Sequence, residues 1–305
     1  MGMSAAMLKE KSQHMSLFDT DVAKSVWNGK LPLALSFVSD ETAELKKDEY
    51  FAKPILIEAA RQSYLPQLTE RLRPILKSLL SDPDDNRTIW YEYDNEPLKW
   101  HYPIGLLHDL LMYTDENTRR TPLPWRINIR LTNFPTDKLL RSPSVEAAQD
   151  AFMSMIKEAD FLRYGSTKRV MNLSKKDQSQ LWESLTKDSY DDYWDVNKRL
   201  INDVNGQTLR NIPLRLYLPE QCPVIQEPVS YTKAGQEDDT RSLGSVLNEI
   251  LPDVFPPDTH EAQAPASVVI HGISIPLDTP IAWMSQNMSF ADNFLHLVIC
   301  KRSSK

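Results

Sequence analysis

The chain has 305 residues, 41% of them hydrophobic and 25% charged, with 8 glycines and a formal net charge of −7. That composition allows a substantial core, argues against the concentrated basic surface that nucleic acid requires, and places no two glycines at the spacing of a phosphate-cradling loop. No apolar run approaches the ~20 residues of a membrane span, and residues 1–15 contain no apolar stretch of secretory length, so a cytoplasmic chain is expected.

Past the polar leader, Asp19 or Thr20 is the N-cap of a short helix that Gly29 ends. LPLALSFV then alternates, with Leu31, Leu33, Leu35 and Phe37 on one face, as a half-buried strand does. KPILIEAAR is a second strand. TERLRPILKSLL carries Leu68, Leu72, Ile75, Leu76 and Leu79 at helical spacing, with Pro74 starting or kinking that helix. IWYEYDNEPLKW reads as two strands around an Asp-Asn-Glu-Pro turn, PIGLLHDLL as a short helix opened by Pro103, and WRINIRL as a closing strand.

A helical insert follows. Ser142 caps its first helix with Pro143 behind it, and Gly165 stops it; a second helix runs from Ser174 to about Asn205 and Gly206. Then the first succession returns. IPLRLYLP and VIQEPVSYT are strands, RSLGSVLNEIL a helix, SVVIHGISI a strand, TPIAWMSQNM a short helix and NFLHLVICK a final strand. Both copies share a junction, Pro97-Leu98 before Pro103-Ile104 and Pro276-Leu277 before Pro280-Ile281, which points to an internal duplication. GQEDDT at 235–240 and FPPDTHEAQAPA at 255–266 read as surface loops. The succession is that of the ubiquitin-like β-grasp. The expected class is α+β, two ubiquitin-like β-grasp domains flanking a helix-rich domain. The expected divisions are a leader with short helix at 1–29, a first β-grasp domain at 30–137, the helix-rich domain at 138–207 and a second β-grasp domain at 208–305.

Catalytic constellations are missing from this pattern. There is no H-E-x-x-H, G-x-S-x-G or C-x-x-C, and the six histidines are not paired at a metal-ligand spacing, so no metal and no cofactor is expected. His108 and Asp109 are neighbours in sequence that should not face each other on a helix. Cys222 and Cys300 are expected to be buried free thiols, and Asp191, Asp192 and Asp195 a solvated acidic face. Trp27, Trp182 and Trp194 fall on short helices, where they are either core or the lining of a groove for a partner helix.

One residue stands apart. At 100° per residue, Val145, Ala148, Phe152, Met155, Ile156, Ala159 and Leu162 form a stripe, and Lys157 projects roughly opposite it, into full solvation. A turn away on its own side lie Met153 and Phe161, an apolar pair expected near solvent and suited to a partner that covers the junction.

In VWNGKLPLALSF, IWYEYDNEPLKWHYPIGLLHDLL, LPWRINI, FMSMIKEAD, KKDQSQLW, IPLRLYL, VVIHGISIPLDTPIAW and SFADNFLHLVI, taken in order, the sequence resembles the autophagy protein 5 family. The resemblance covers nearly the whole chain. It implies two ubiquitin-like folds around a helix-rich domain, and it implies that Lys157 accepts the C-terminal glycine of the ubiquitin-like modifier autophagy protein 12. It further implies a conjugating enzyme, autophagy protein 10, an N-terminal helix of autophagy protein 16 as non-covalent partner, and a carrier enzyme, autophagy protein 3, that lends the catalytic cysteine. The conjugate then promotes, like a scaffolding ubiquitin ligase, transfer of autophagy protein 8 to phosphatidylethanolamine during autophagosome formation. That implies peripheral membrane contact at the preautophagosomal structure and no catalysis by this chain. The chain ends in KRSSK without Gly-Gly, so it is expected to be a target of conjugation and not a modifier. The alternative is a non-covalent module that binds helices.

Overall fold

The computed structural model describes residues 17–38, 53–80, 87–113, 123–140, 143–201, 211–219, 222–230, 232–233, 236–257 and 264–302. Residues 1–15, Ser142, Asn205, Gly206 and the 114–121 loop lie outside them.

Asp19 caps α1 (Thr20–Trp27), its carboxylate accepting from the backbone N–H groups of Asp21 and Val22. The first module then builds β1 (Lys30–Phe37), β2 (Ile55–Ala60), α2 (Leu65–Leu79), β3 (Trp90–Tyr93), β4 (Glu96–Pro97), α3 (Ile104–Met112) and β5 (Trp125–Arg130). Its sheet order is β2-β1-β5-β3-β4, with β1 and β5 parallel and the other pairs antiparallel. As the alternation predicts, Leu31, Leu33, Leu35 and Phe37 are buried. Two details differ from the sequence reading. α2 starts four residues before Thr69, with Pro66 in its first turn; Pro74 lies inside the helix, and Ile75 is exposed. The β3-β4 turn is only Asp94 and Asn95, both at positive φ, so Glu96 and Pro97 belong to β4.

The second module comprises β6 (Asn211–Tyr217), β7 (Ile225–Ser230), β8 (Thr232–Lys233), β9 (Gln236–Thr240), α8 (Leu243–Ile250), β10 (Ala266–Ile270), β11 (Ile273–Ser274), α9 (Ile281–Asn287) and β12 (Leu295–Lys301). Its sheet order, β11-β10-β12-β6-β7, is the first sheet's order read from the opposite end, with β7, β6, β12, β10 and β11 standing where β2, β1, β5, β3 and β4 stand. SVVIHGISI is therefore not one strand but the β10-β11 hairpin, turned at positive φ through His271 and Gly272 as Asp94 and Asn95 turn the first copy. The shared junction recurs in hydrogen bonds. Ile104 N–H donates to Ser63 O at 2.8 Å and Ile281 N–H to Arg241 O at 3.0 Å, beside matching bridges of Tyr64 with Pro103 and Ser242 with Pro280. GQEDDT is not a loop: residues 236–240 form β9, paired with β8. In the 255–266 stretch Phe255 is buried in the second core.

The insert holds α4 (Val145–Tyr164), α5 (Lys168–Met171), α6 (Lys175–Lys187) and α7 (Tyr190–Ile201). The expected single second helix is two, separated by Asp188 in the left-handed region at φ 55°. These helices share a core with the first module: Phe152, Ile156, Leu181, Trp182 and Tyr193 join Leu33, Tyr64 and Leu68 in one apolar cluster. The second module has its own, which Leu106 of α3 enters while Leu107 enters the first. Across this seam Asp109 accepts from the Arg61 guanidinium and, through its other oxygen, from the Gly272 N–H at 2.9 Å. Cys300 is buried, but Cys222 is exposed, contrary to the expectation of two buried thiols; neither is in a disulfide.

Candidate functional site

α4 carries Lys157. Its N-cap is Ser144 and not Ser142: the Ser144 hydroxyl accepts from Ala147 N–H at 3.1 Å, Glu146 complements the positive helix end, and Gly165 closes the helix at φ 71°. The helix is held from two sides. Toward the first core, Phe152 packs 6.1 Å from Tyr64 and 5.6 Å from Trp182, ring centre to ring centre. Toward the second module the contacts are polar. Glu158 accepts from Arg215 at 3.1 Å and from Gln226 at 2.7 Å, Leu162 O accepts from Asn211 at 3.3 Å, and Arg163 donates to Ser285 and to Asn293 O, both at 3.2 Å. Arg163 is fully buried, which pulls its pKa down, while burial raises the carboxyl of Asp160 against the hydrogen bond from Val170 N–H.

Lys157 is half-buried, not fully solvated as the single apolar stripe implies. Its amine makes no hydrogen bond or ion pair among the described residues. Met153 is buried in the first core at 8% exposure, which corrects its expected place near solvent; Phe161 is 55% exposed, as expected.

The three tryptophans separate. Trp182 is core, buried and packed on Tyr64 at 5.8 Å. Trp27 and Trp194 do border a shallow pocket of about 40 Å³, together with Gln62 of the first module and Ser285, Asn287, Phe290 and Ala291 of the second. Trp194 stacks on Phe18 at 4.4 Å, and the buried Trp27 indole N–H has no hydrogen-bond partner among the described residues. The pocket floor is tied across the molecule, Ala291 donating its N–H to Gln62 at 3.0 Å and accepting from the Tyr193 hydroxyl at 2.8 Å.

A polar triplet escaped the sequence reading. His296 bonds Asp292 at 2.9 Å and the Tyr217 hydroxyl at 2.8 Å. The Asp292–His296 spacing of four residues was the available signal. All three side chains are buried, and the triplet fastens the start of β12. His108 Nδ1 comes within 3.4 Å of Asp109, closer than a sequence-neighbour pair was expected to be. Asp191, Asp192 and Asp195 are exposed, as expected. Among the described residues no group of three or more His, Cys, Asp or Glu side chains could hold a metal, and no helix is long and apolar enough to cross a membrane.

Three family models match in the order of the fold: autophagy protein ATG5 UblA domain at residues 26–131, its alpha-helical bundle region at 145–203 and its UblB domain at 211–299. Autophagy protein 5 of Aspergillus oryzae is 32% identical over 91% of this chain and 96% of its own length. The chain belongs to the autophagy protein 5 family. Autophagy protein 5 of Drosophila melanogaster is 30% identical over 92% of this chain and 97% of its own. The crystal structure of Kluyveromyces marxianus Atg5 shares the fold, with a TM-score of 0.72 at 24% identity over 92% of this chain and 99% of that one. In autophagy protein 5 terms, α4 opens the helical bundle region, and Lys157 stands on the helix that touches both Ubl domains.

Proposed function

We propose that this autophagy protein is a scaffold covalently conjugated through Lys157 to autophagy protein 12, and that it performs no catalysis itself. One observation carries the reading: an amine with no intramolecular partner among the described residues stands on a helix held by both modules. In the step proposed, the neutral amine attacks the thioester carbonyl of the modifier's C-terminal glycine on autophagy protein 10. The C–N bond forms, the C–S bond breaks, the enzyme cysteine leaves as thiolate and the amine's proton passes to a base. An amine must be neutral and desolvated to attack, so that base and the desolvation come from the conjugating enzyme. This chain supplies a positioned amine.

The pocket that Trp27 and Trp194 border, where both modules and the insert meet, is the proposed seat of the autophagy protein 16 helix. With it, the conjugate would act on autophagy protein 3 in a ligase-like way, promoting transfer of autophagy protein 8 to phosphatidylethanolamine. The protein would be cytoplasmic and recruited to the preautophagosomal membrane as a peripheral component of autophagosome assembly and its transport. No nucleic acid or cofactor enters this reading. Incubation with ATP, the modifier and its activating and conjugating enzymes should shift the band on a denaturing gel, and Lys157→Arg should abolish the shift. A shift that survives moves the acceptor to another lysine; no shift with competent enzymes leaves the non-covalent helix-binding module.

A further inference from the structure

Glu158, the residue after the acceptor, belongs to a closed ring of side-chain hydrogen bonds. Arg215 donates from Nε to Gln226 Oε1 at 2.7 Å and from Nη2 to Glu158 Oε2 at 3.1 Å; Gln226 donates from Nε2 to Glu158 Oε1 at 2.7 Å. The Arg215 guanidinium also lies over the Phe294 ring at 4.6 Å, which fixes its plane. The ring ties one turn of α4 to the β6-β7 pair. Among the hydrogen bonds from α4 to the second module it is the one nearest Lys157 in sequence, the next being those of Leu162 O and Arg163.

We propose that Glu158, clamped by Arg215 and Gln226, is the positioning residue for the Lys157 amine. The inference rests on the acceptor reading above. Nothing bonds the Lys157 side chain among the described residues, so the amine is placed only by its backbone and by the packing of its stem. Ile156 seats that backbone in the first core, and Glu158 holds it to the second module. Two anchors on successive residues fix both the rotation of α4 about its axis and its distance from each module. The Glu158 side chain is 41% exposed, and an ion pair that open contributes little to stability. Breaking it should therefore change the geometry of attack while leaving the fold intact.

The test is single-turnover transfer of the modifier from thioester-charged conjugating enzyme to the full chain, at varied acceptor concentration, with thermal unfolding measured on every variant. Glu158→Ala and Arg215→Ala should each lower the maximal rate roughly tenfold without raising the half-saturating concentration or the unfolded fraction. The double variant should be no slower than either single, because both act through one clamp. An unchanged maximal rate in Glu158→Ala, a loss confined to half-saturation, or multiplied losses in the double variant would overturn the proposal. Transfer that persists in Lys157→Arg, run alongside, would instead overturn the acceptor reading and this inference with it.

Discussion

Asp109→Ala isolates what joins the two modules. Arg61 and Asp109 form a buried pair, 8% and 1% exposed, and Asp109 also accepts the Gly272 N–H of the second module at 2.9 Å. Removing the carboxylate strands the guanidinium, which among the described residues keeps only Gly105 O at 3.1 Å and already has a buried Nε with no partner. Breaking such a pair from one side costs about 3–5 kcal/mol, which includes a charge left buried. In a chain this size that is a fall in Tm of roughly 6–10 °C. Replacing both partners, Arg61→Met with Asp109→Leu, removes the stranded charge and leaves chiefly the Gly272 N–H unsatisfied, at about 1–3 kcal/mol. Urea unfolding followed by tryptophan fluorescence gives both midpoints, with an unchanged slope confirming a like comparison. If Asp109→Ala loses no more than the double variant, the pair is not what the seam depends on and the reasoning fails.

Acid should loosen the same seam. Burial pulls the pKa of His271 from 6.5 down to about 4, so the unfolded chain takes up a proton that the folded chain refuses. Stability is thus full above pH 6.5 and falls toward pH 4 by about 3 kcal/mol; His101, also lowered to about 4 by burial, adds in the same direction. The difference in urea midpoint between pH 7 and pH 4.5 should shrink in His271→Gln, and an unchanged difference would remove His271 as a source. Trp182→Ala should cost about 3–5 kcal/mol as a core deletion, whereas Phe161→Ala should stay within about 0.5 kcal/mol; equal losses in chemical denaturation would contradict their placement.

The strands were legible where alternation was clean. β1 reads off Leu31, Leu33, Leu35 and Phe37 because one face meets α2 and the other does not. The β10-β11 hairpin was not, because its turn, His271 and Gly272, sits inside a continuous apolar run and the dipeptide is a weak turn signal. The break between α6 and α7 had a signature: Ser189 bonds Asp192 at 2.7 Å, a serine with an acid three residues on, opening a helix just after Asp188 turns left-handed. The apolar stripe over 174–206 hid it by running on through the break.

Lys157 shows why the rest stayed hidden. An amphipathic reading finds the face that apolar residues bury, and on α4 it finds Phe152 and Ile156. The other flank carries Glu158, Asp160 and Arg163, residue types that sequence consigns to water: Arg163 is buried and Glu158 partly so, each answered by hydrogen bonds from the second module, while Asp160 is buried within the insert, where it accepts from Val170 N–H. α3 makes the same point with apolar residues, Leu106 and Leu107 entering different cores from adjacent positions. A helix that serves two modules has two seams, and one hydrophobic period describes only one of them. An amine between two such seams has a fixed origin and, for lack of a partner of its own, a free end. That combination is what the proposed acceptor role calls for, and neither seam alone supplies it.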